Sequence, residues 1–182
     1  MRKDQDFELL DDCKRGDRQA LSSMVRRYER PLYNAAYRML GNPDEAADVT
    51  QTTFLKAFEN LHRFNPEFKF FSWIYRIAIN ESINQLNRRK RLEEWVDEGV
   101  SPVRGPEDMT DAGVLSGQVQ GALLELSEDH RAVIVLRHFT ECSYRQIGEI
   151  LQVPEKTVKS RLFAARKVMK QRLVSEGVGS DE

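Results

Sequence analysis

Ser143-Tyr-Arg-Gln-Ile-Gly-Glu-Ile-Leu-Gln-Val-Pro-Glu-Lys-Thr-Val-Lys-Ser-Arg-Leu-Phe-Ala-Ala-Arg166 is the stretch that decides the fold class of this chain. Ser143 with Gln146 three positions later is a capping box, and the helix it starts turns Tyr144, Ile147, Ile150 and Leu151 inward. Gln152-Val-Pro154 stops that helix. A second helix is predicted from Glu155 to Leu173, with Val158, Leu162, Ala165, Val168 and Met169 packing and Lys156, Lys159, Ser160, Phe163 and Lys167 projecting. Two short helices joined by a tight turn, the second basic on its outer face, are the arrangement that lays a recognition helix, here beginning at Pro154, into the major groove of DNA. Early residues of such a helix reach base edges. Lys156, Lys159 and Ser160 are therefore candidates for hydrogen bonds to bases, and Phe163 for a thymine methyl. Thr157, Arg161, Arg166 and Lys170 suit phosphates, which set register without reading sequence, and Arg137 and Lys167 complete the DNA-binding set. The bland alternative is a solvated charged face. An outward Phe163 among lysines speaks against it, because its apolar area gains nothing without a partner.

Working outward, the 182 residues suffice for two small domains, and 40% apolar with 31% charged residues is the balance of a helix-rich globular chain. The net charge of −1 conceals a lopsided distribution. Lys156 to Arg172 holds seven Lys or Arg and no acid, whereas Leu92 to Gln118 holds seven acids against the single Arg104. Within that acidic strip Gly99, Ser101, Pro102, Gly105, Pro106, Gly113 and Gly117 interrupt the helical pattern and mark a flexible linker. The expected organisation is all-α: a first domain over 1–95, an acidic linker over 96–117, and a second domain over 118–182 that carries the helix-turn-helix.

In the first domain, Asn42-Pro-Asp-Glu45 signals a helix start, with Asn42 as cap, Pro43 in the first helical position and Glu45 completing a capping-box-like pattern. The helix is predicted to reach about His62. Ala47, Thr50, Phe54, Ala57, Phe58 and Leu61 form its core stripe, and Glu45, Asp48, Thr52, Leu55 and Glu59 its wet side. Leu55 is out of place there. Ser72 is expected to cap a second long helix ending near Arg91, with Tyr75, Ile79, Ile83 and Leu86 on one side and Trp73, Arg76, Asn80, Asn84, Asn87 and Arg91 on another. Asn is a poor helix-interior residue, so several on one face point to selection by something other than helix stability. Between the two helices, Phe64, Phe68, Phe70 and Phe71 alternate with Arg63 and Lys69. Aromatic rings beside cations form a stacking platform for unpaired bases, although residue spacing assigns at least two of the four rings to the core. Arg76 and Asn80 beside the platform suit guanine, phosphate or adenine, and Arg88-Arg-Lys-Arg91 adds a phosphate grip. In the second domain Val114 to Leu126 and a Ser127-capped helix precede the helix-turn-helix, and Ala132-Val-Ile-Val-Leu136 reads as buried helix despite its β-branched residues.

Taken in order, Asp48-Val-Thr-Gln51-Thr-Thr-Phe54, Phe71-Ser-Trp73-Ile-Tyr-Arg-Ile-Ala-Ile-Asn80, Leu126-Ser-Glu-Asp-His-Arg131 and Thr157-Val-Lys-Ser-Arg-Leu-Phe-Ala-Ala-Arg166 resemble the successive signatures of the extracytoplasmic-function (group IV) sigma factors of the sigma-seventy family. The resemblance spans nearly the whole chain. It implies a subunit that binds core RNA polymerase and directs promoter-specific initiation. Asp48, Gln51, Thr52 and Leu55 would dock on the clamp-helix coiled coil of the large polymerase subunit. The Phe64 to Phe71 loop would hold a flipped base of the minus-ten element, with Asn80 at the duplex edge. The acidic linker would thread toward the RNA exit path, and the helix from Pro154 would read the minus-thirty-five element. An anti-sigma protein is an implied partner. Two departures from relatives stand out: Arg76 and Ile77 stand where housekeeping members place paired aromatic rings, and Ala164 stands where some relatives carry Arg. The first implies limited, stringent melting. The second leaves the upstream target sequence unpredictable by analogy.

The residues left over point to no chemistry. Three scattered His, no Gly-rich phosphate loop and no HExxH pattern argue against an enzyme, a metal or a cofactor. Cys13 and Cys142 have no CxxC spacing and read as buried thiols. Without an apolar run of membrane-spanning length or a signal peptide, the chain is expected in the cytoplasm. A stand-alone helix-turn-helix regulator and a helical adaptor are the competing readings. Neither calls for a first domain that pairs an outward Asp48 and Leu55 with an Asn-rich face and an aromatic loop.

Overall fold

The computed structural model describes residues 2–95 and 111–175. Its regular elements there are all helical: α1 (Arg2–Lys14), α2 (Arg18–Leu40), α3 (Pro43–Glu59), α4 (Phe70–Trp95), α5 (Asp111–Leu124), α6 (Glu128–Ile134), α7 (Tyr144–Leu151) and α8 (Glu155–Ser175), with a 3-10 turn at Leu61–Arg63 and a π-turn at Val135–Phe139. The acids between Asp97 and Asp108, expected to thread along an RNA path, lie outside the described residues. Helix α5 already occupies 111–117, which composition assigned to the linker. Gly113 and Gly117 each weaken a helix by about 1 kcal/mol relative to Ala. Downstream burial of Ala122 and Leu123 offsets that loss.

Helices α1 to α4 form the first body. Asp17 caps α2 by accepting hydrogen bonds from the amides of Gln19 and Ala20, and Gly41 ends it in the left-handed region at φ 70°. Pro31 sits inside that helix, which hides α2 from a reading by periodicity and breaker residues alone. Asn42 caps α3 as expected, through bonds from Asp44 and Glu45. Glu45 does not close a capping box. Its carboxylate turns to α4 instead, accepting from Gln85 Nε2 at 3.2 Å and pairing with Arg89.

The inner face of α3 is also rotated from the sequence wheel. Ala46, Val49, Thr50, Thr53, Phe54 and Ala57 are buried, and Ala47 is exposed. Thr50 and Thr53 tolerate burial because each hydroxyl donates to the carbonyl four residues earlier, at 2.7 Å. Helix α4 starts at Phe70, so Ser72 is no cap but a buried residue within the helix. Ile74, Ala78 and Ser82 join Tyr75, Ile79 and Leu86 in the core, so the buried face of α4 is wider than one stripe.

Helices α5 to α8 form the second body. Ala132 to Leu136 are all buried, as helix and π-turn rather than strand. Ser127 precedes α6 without a side-chain cap. The Ser143–Gln146 capping box is fully formed, with bonds of 3.2 and 2.9 Å. Helix α7 ends at Gln152 in the left-handed region, and Gly148 makes the turn into α8 possible. A Cβ at Gly148 would lie 2.8 Å from the Val153 carbonyl oxygen. Val158, Leu162 and Ala165 seat α8, whereas Val168, expected to pack, is 41% exposed: the packed face continues through Met169 instead.

The two bodies are joined by reciprocal capping of helix C-termini. The last four carbonyls of a helix lack intrahelical donors. Gln120 of α5 donates to the Tyr37 and Arg38 carbonyls of α2 at 3.4 and 3.3 Å, and Arg131 of α6 donates to Met39. In return, Arg76 of α4 donates to the Glu149 carbonyl near the end of α7 at 2.6 Å, while Ser72 Oγ contacts the Glu149 carboxylate at 3.3 Å. Both arginines place positive charge at a helix C-terminus, the favourable end of the dipole. Lys90 pairs with Glu128, and the Arg38 guanidinium lies 4.7 Å over the Phe139 ring.

Candidate nucleic-acid and protein-docking surfaces

The outer face of α8 is built as its sequence predicts. Lys156, Lys159, Ser160, Phe163 and Lys167 are exposed, and Phe163 at 76% is the most exposed large apolar side chain among the described residues. Val158, Leu162 and Ala165, buried on the opposite side, fix that face outward. Three cations of the set already have partners. Arg161 pairs with Asp129 at 2.6 Å, Arg166 reaches His138 Nε2 at 3.2 Å, and Arg137 donates to the Cys142 carbonyl at 2.9 Å. Burial, then the charges of Arg166 and Arg137, hold His138 below the usual histidine range, so its ring stays neutral and can accept from Arg166. Thr157 is half-buried.

The aromatic loop divides between core and surface. Phe64 and Phe70, placed in the DNA-binding set from sequence, are buried instead. Their rings pack edge to face at 5.7 Å, each lies within 5.6 Å of Trp73, and Tyr28 meets Phe70 at 5.5 Å. Four rings closing a core at the start of α4 are satisfied by one another. Phe68 is exposed at the loop tip between exposed Arg63 and Lys69, and Trp73 is half-buried, so the surface available to a base is Phe68 and the rim of Trp73.

On α4, Asn80, Asn84, Asn87, Arg88 and Arg91 are exposed. Arg76 is not free in this arrangement, because its guanidinium is spent on Glu149 and its Nε is buried without a partner. On α3, Asp48, Gln51 and Leu55 face solvent and Thr52 is half-exposed, with Leu55 at 57%. These two sets are not separate. Asp48, Gln51 and Thr52 line one polar groove of about 550 Å³ together with Asn84, Arg88 and Arg91. Helices α3 and α4 pack side by side, and that brings the expected docking side chains against the far end of the expected DNA face.

Sequence reasoning missed Gln120, Arg131 and Glu149 as the residues that tie the bodies together. Arg131 stands in one of the motifs quoted above, yet no local pattern shows that its donors go to Met39, Leu124 and Leu126. Tyr144, read as core, is half-buried with Arg137 and Lys159 against its ring.

Comparison with known proteins agrees with this layout. Residues 24–92 match the model of sigma-70 region 2, and residues 116–169 match that of sigma-70 region 4. The chain is 36% identical over 173 residues to the ECF RNA polymerase sigma factor SigW of Bacillus subtilis, covering 88% of this chain and 92% of that one. It is 31% identical to the RNA polymerase sigma-H factor of Pseudomonas aeruginosa, covering 94% and 95%. Among solved structures, CnrH in complex with the cytosolic domain of CnrY superposes with a TM-score of 0.72 at 25% identity, covering 92% of this chain and 96% of that one. The sigma factor RpoE of Bartonella quintana, in complex with the anti-sigma factor NepR, has the same fold, with a TM-score of 0.69 at 24% identity and coverage of 88% and 98%. With both region models in order and relatives matched over nearly their full length, this chain belongs to the ECF sigma factors of the sigma-70 family.

Proposed function

We propose that the chain is an alternative, group IV sigma factor that acts in the cytoplasm by binding core RNA polymerase and placing it at a promoter, with no chemistry of its own. The observation that carries this reading is the presence, on one chain, of two outward faces that folding does not need: the cationic α8 face around Phe163, and the α3 face around Asp48 and Leu55. In this reading the first domain spans 1–95 and the second 118–182. Asp48, Gln51, Thr52 and Leu55 dock on the polymerase clamp helices. Arg63, Phe68, Lys69, Trp73 and Asn80 engage the minus-ten element, with Asn84, Arg88 and Arg91 gripping backbone nearby. Lys156, Lys159, Ser160 and Phe163 read the minus-thirty-five element, and Thr157, Arg161, Arg166 and Lys167 set register on its phosphates.

Size then requires a movement. The two elements lie about 25 base pairs apart, about 85 Å of duplex at 3.4 Å per pair. A compact chain of this length has a radius of gyration of about 16 Å. One closed body cannot touch both, so the bodies must part on the promoter, and parting frees Arg76 from Glu149 to join the minus-ten contacts. A protein partner that keeps the bodies together, an anti-sigma factor, is part of the reading. Transcription by purified core polymerase on promoter fragments, with and without this chain, tests it. New start sites that appear only with the chain support it, and their absence overturns it in favour of a stand-alone DNA-binding regulator.

A further inference from the structure

The loop that carries Arg63, Phe68 and Lys69 outward is held from behind. Its two buried rings, Phe64 and Phe70, are the fixed points between which exposed Phe68 stands. Phe70 meets the Tyr28 ring edge to face at 5.5 Å with 75° between planes, and Phe64 meets Phe70 at 5.7 Å and Trp73 at 5.3 Å. Tyr28 is in turn tethered at its far end. Its hydroxyl donates to Asp6 Oδ2 of α1 at 3.0 Å, and the other oxygen of that carboxylate pairs with Arg27. Burial, then the Asp6 charge, holds the Tyr28 phenol above the ordinary tyrosine range, so the hydroxyl stays protonated and donates. At the other end of α1, about 12 Å along the helix at 1.5 Å per residue, the Lys14 ammonium lies 5.8 Å from the centre of the Phe64 ring. Leu10 and Cys13, buried between these ends, seat α1. Ring packing alone calls for no hydroxyl at position 28. A Phe there would meet Phe70 equally well and leave no buried phenol in need of a partner. What the hydroxyl adds is a fixed direction for the ring against which Phe70 rests.

We propose that Tyr28, oriented by Asp6, is a positioning residue for the minus-ten contact: it holds Phe70, and through it the loop, in the shape that presents Phe68 and the rim of Trp73 to an unpaired base. The inference rests on the reading of that loop as the minus-ten contact. Neither Tyr28 nor Asp6 touches DNA. A loop already held in its base-accepting shape needs no ordering when the strand arrives, so the apparent affinity is not reduced by the fraction of chains with the loop elsewhere. Helix α1 thereby becomes part of the promoter reader, although its own surface stays clear of the base.

The test uses holoenzyme made from the full chain and core polymerase, with fluorescent probes taken from a start site mapped by transcription. One probe is the single-stranded non-template minus-ten segment, one a scrambled version of it, and one a duplex of the upstream element as control. Tyr28→Phe and Asp6→Ala should each weaken binding of the minus-ten strand about threefold to tenfold, the equivalent of one hydrogen bond. Affinity for core polymerase and for the upstream duplex should stay within about twofold of the parent. Asp6→Asn keeps an acceptor for the hydroxyl and loses only a partly exposed ion pair, so it should bind as the parent does. Adding Tyr28→Phe to Phe68→Ala should cost less than about twofold more, because the ring acts only through the loop. A merely structural role would instead lower every affinity together. Equal losses on polymerase, strand and duplex, unchanged strand binding by Tyr28→Phe, an Asp6→Asn loss as large as that of Asp6→Ala, or additive losses with Phe68→Ala would each overturn the proposal. Thermal unfolding is followed for every variant. Should Asp6→Ala fail to fold, Tyr28→Phe decides, alone and combined with Phe68→Ala. Failure of the minus-ten reading is distinct. The parent holoenzyme would then hold selected and scrambled strands alike, Phe68→Ala would change neither, and the proposal would fall with that reading.

Discussion

Replacing Gln120 with Leu should loosen the closed arrangement without touching either outward face. Gln120 is 8% exposed, accepts from Arg38 Nη1 at 3.0 Å and donates to the Tyr37 and Arg38 carbonyls. Leu fills nearly the same volume, so packing is kept and the hydrogen bonds are lost. The two donated bonds are long and the accepted one is good, and a net hydrogen bond contributes about 0.5–1.5 kcal/mol. In the closed form the Arg38 carbonyl would also be left under α5 without its donor, at a further cost of about 1 kcal/mol or more. Opening lets water satisfy that carbonyl, so the loss falls on the closed state alone. A shift of about 1.5–3 kcal/mol in favour of opening corresponds to about tenfold to 150-fold in the ratio of open to closed chains. Dyes on Glu59→Cys and Gln171→Cys, both exposed and on different bodies, report it as reduced energy transfer. The native Cys13 and Cys142 are buried, so labelling favours the introduced thiols. Energy transfer identical to that of the parent, with thermal unfolding also unchanged, would refute the assignment of Gln120 as a closing residue.

Asp48→Lys should leave thermal stability within about 0.5 kcal/mol, because the side chain is exposed. It should nevertheless abolish capture of core polymerase in a pull-down, and retained capture would remove Asp48 from the docking face. Acidification should weaken the fold through His138. Its folded pKa is held below the ordinary 6.5, so the unfolded chain takes up the proton first. The stability that the neutral ring contributes is present above about pH 6.5 and is lost as pH falls through the lower folded value, and a urea midpoint that declines in that window for the parent but not for His138→Gln is the expected result. The Lys90–Glu128 tie behaves in the same sense at lower pH. The hydrogen bond from Lys90 depresses the Glu128 carboxyl below 4.5, so the tie is present above that value and is lost as the carboxyl protonates, seen as rising dye separation in acid.

How far sequence carries depends on whether the determinant is local. The α7–α8 turn is written in adjacent residues, Ser143 and Gln146 for the start, Gly148 and Pro154 for the turn, and its geometry follows them. The outward set on α8 is equally legible, since Val158, Leu162 and Ala165 leave only one face for Lys156, Lys159 and Phe163. Helix phase is less secure. On α3, Thr50 and Thr53 bond back to their own helix and so can be buried like Val, which lets the core face include Thr53 and leaves out Ala47. The aromatic loop shows the limit most clearly. That Phe64 and Phe70 are buried and Phe68 is not depends on Trp73 against Phe64 and Tyr28 against Phe70, and spacing within the loop carries no trace of either partner. The same holds for Arg76, Gln120 and Arg131. Their partners are backbone carbonyls at the ends of other helices, groups that every residue possesses and no sequence motif marks.

The central claim is that a closed two-body chain opens into a two-point promoter reader, and a reversible lock tests it most directly. Lys90→Cys and Glu128→Cys, whose native side chains form an ion pair across the two bodies with Lys90 largely exposed, can be joined by a short cleavable bis-maleimide. Transcription with core polymerase is then measured before and after the bridge is cut. No promoter-specific transcript from the bridged chain, and full activity from the same sample once cleaved, is the predicted result. Equal transcript from the intact bridged chain would contradict the account.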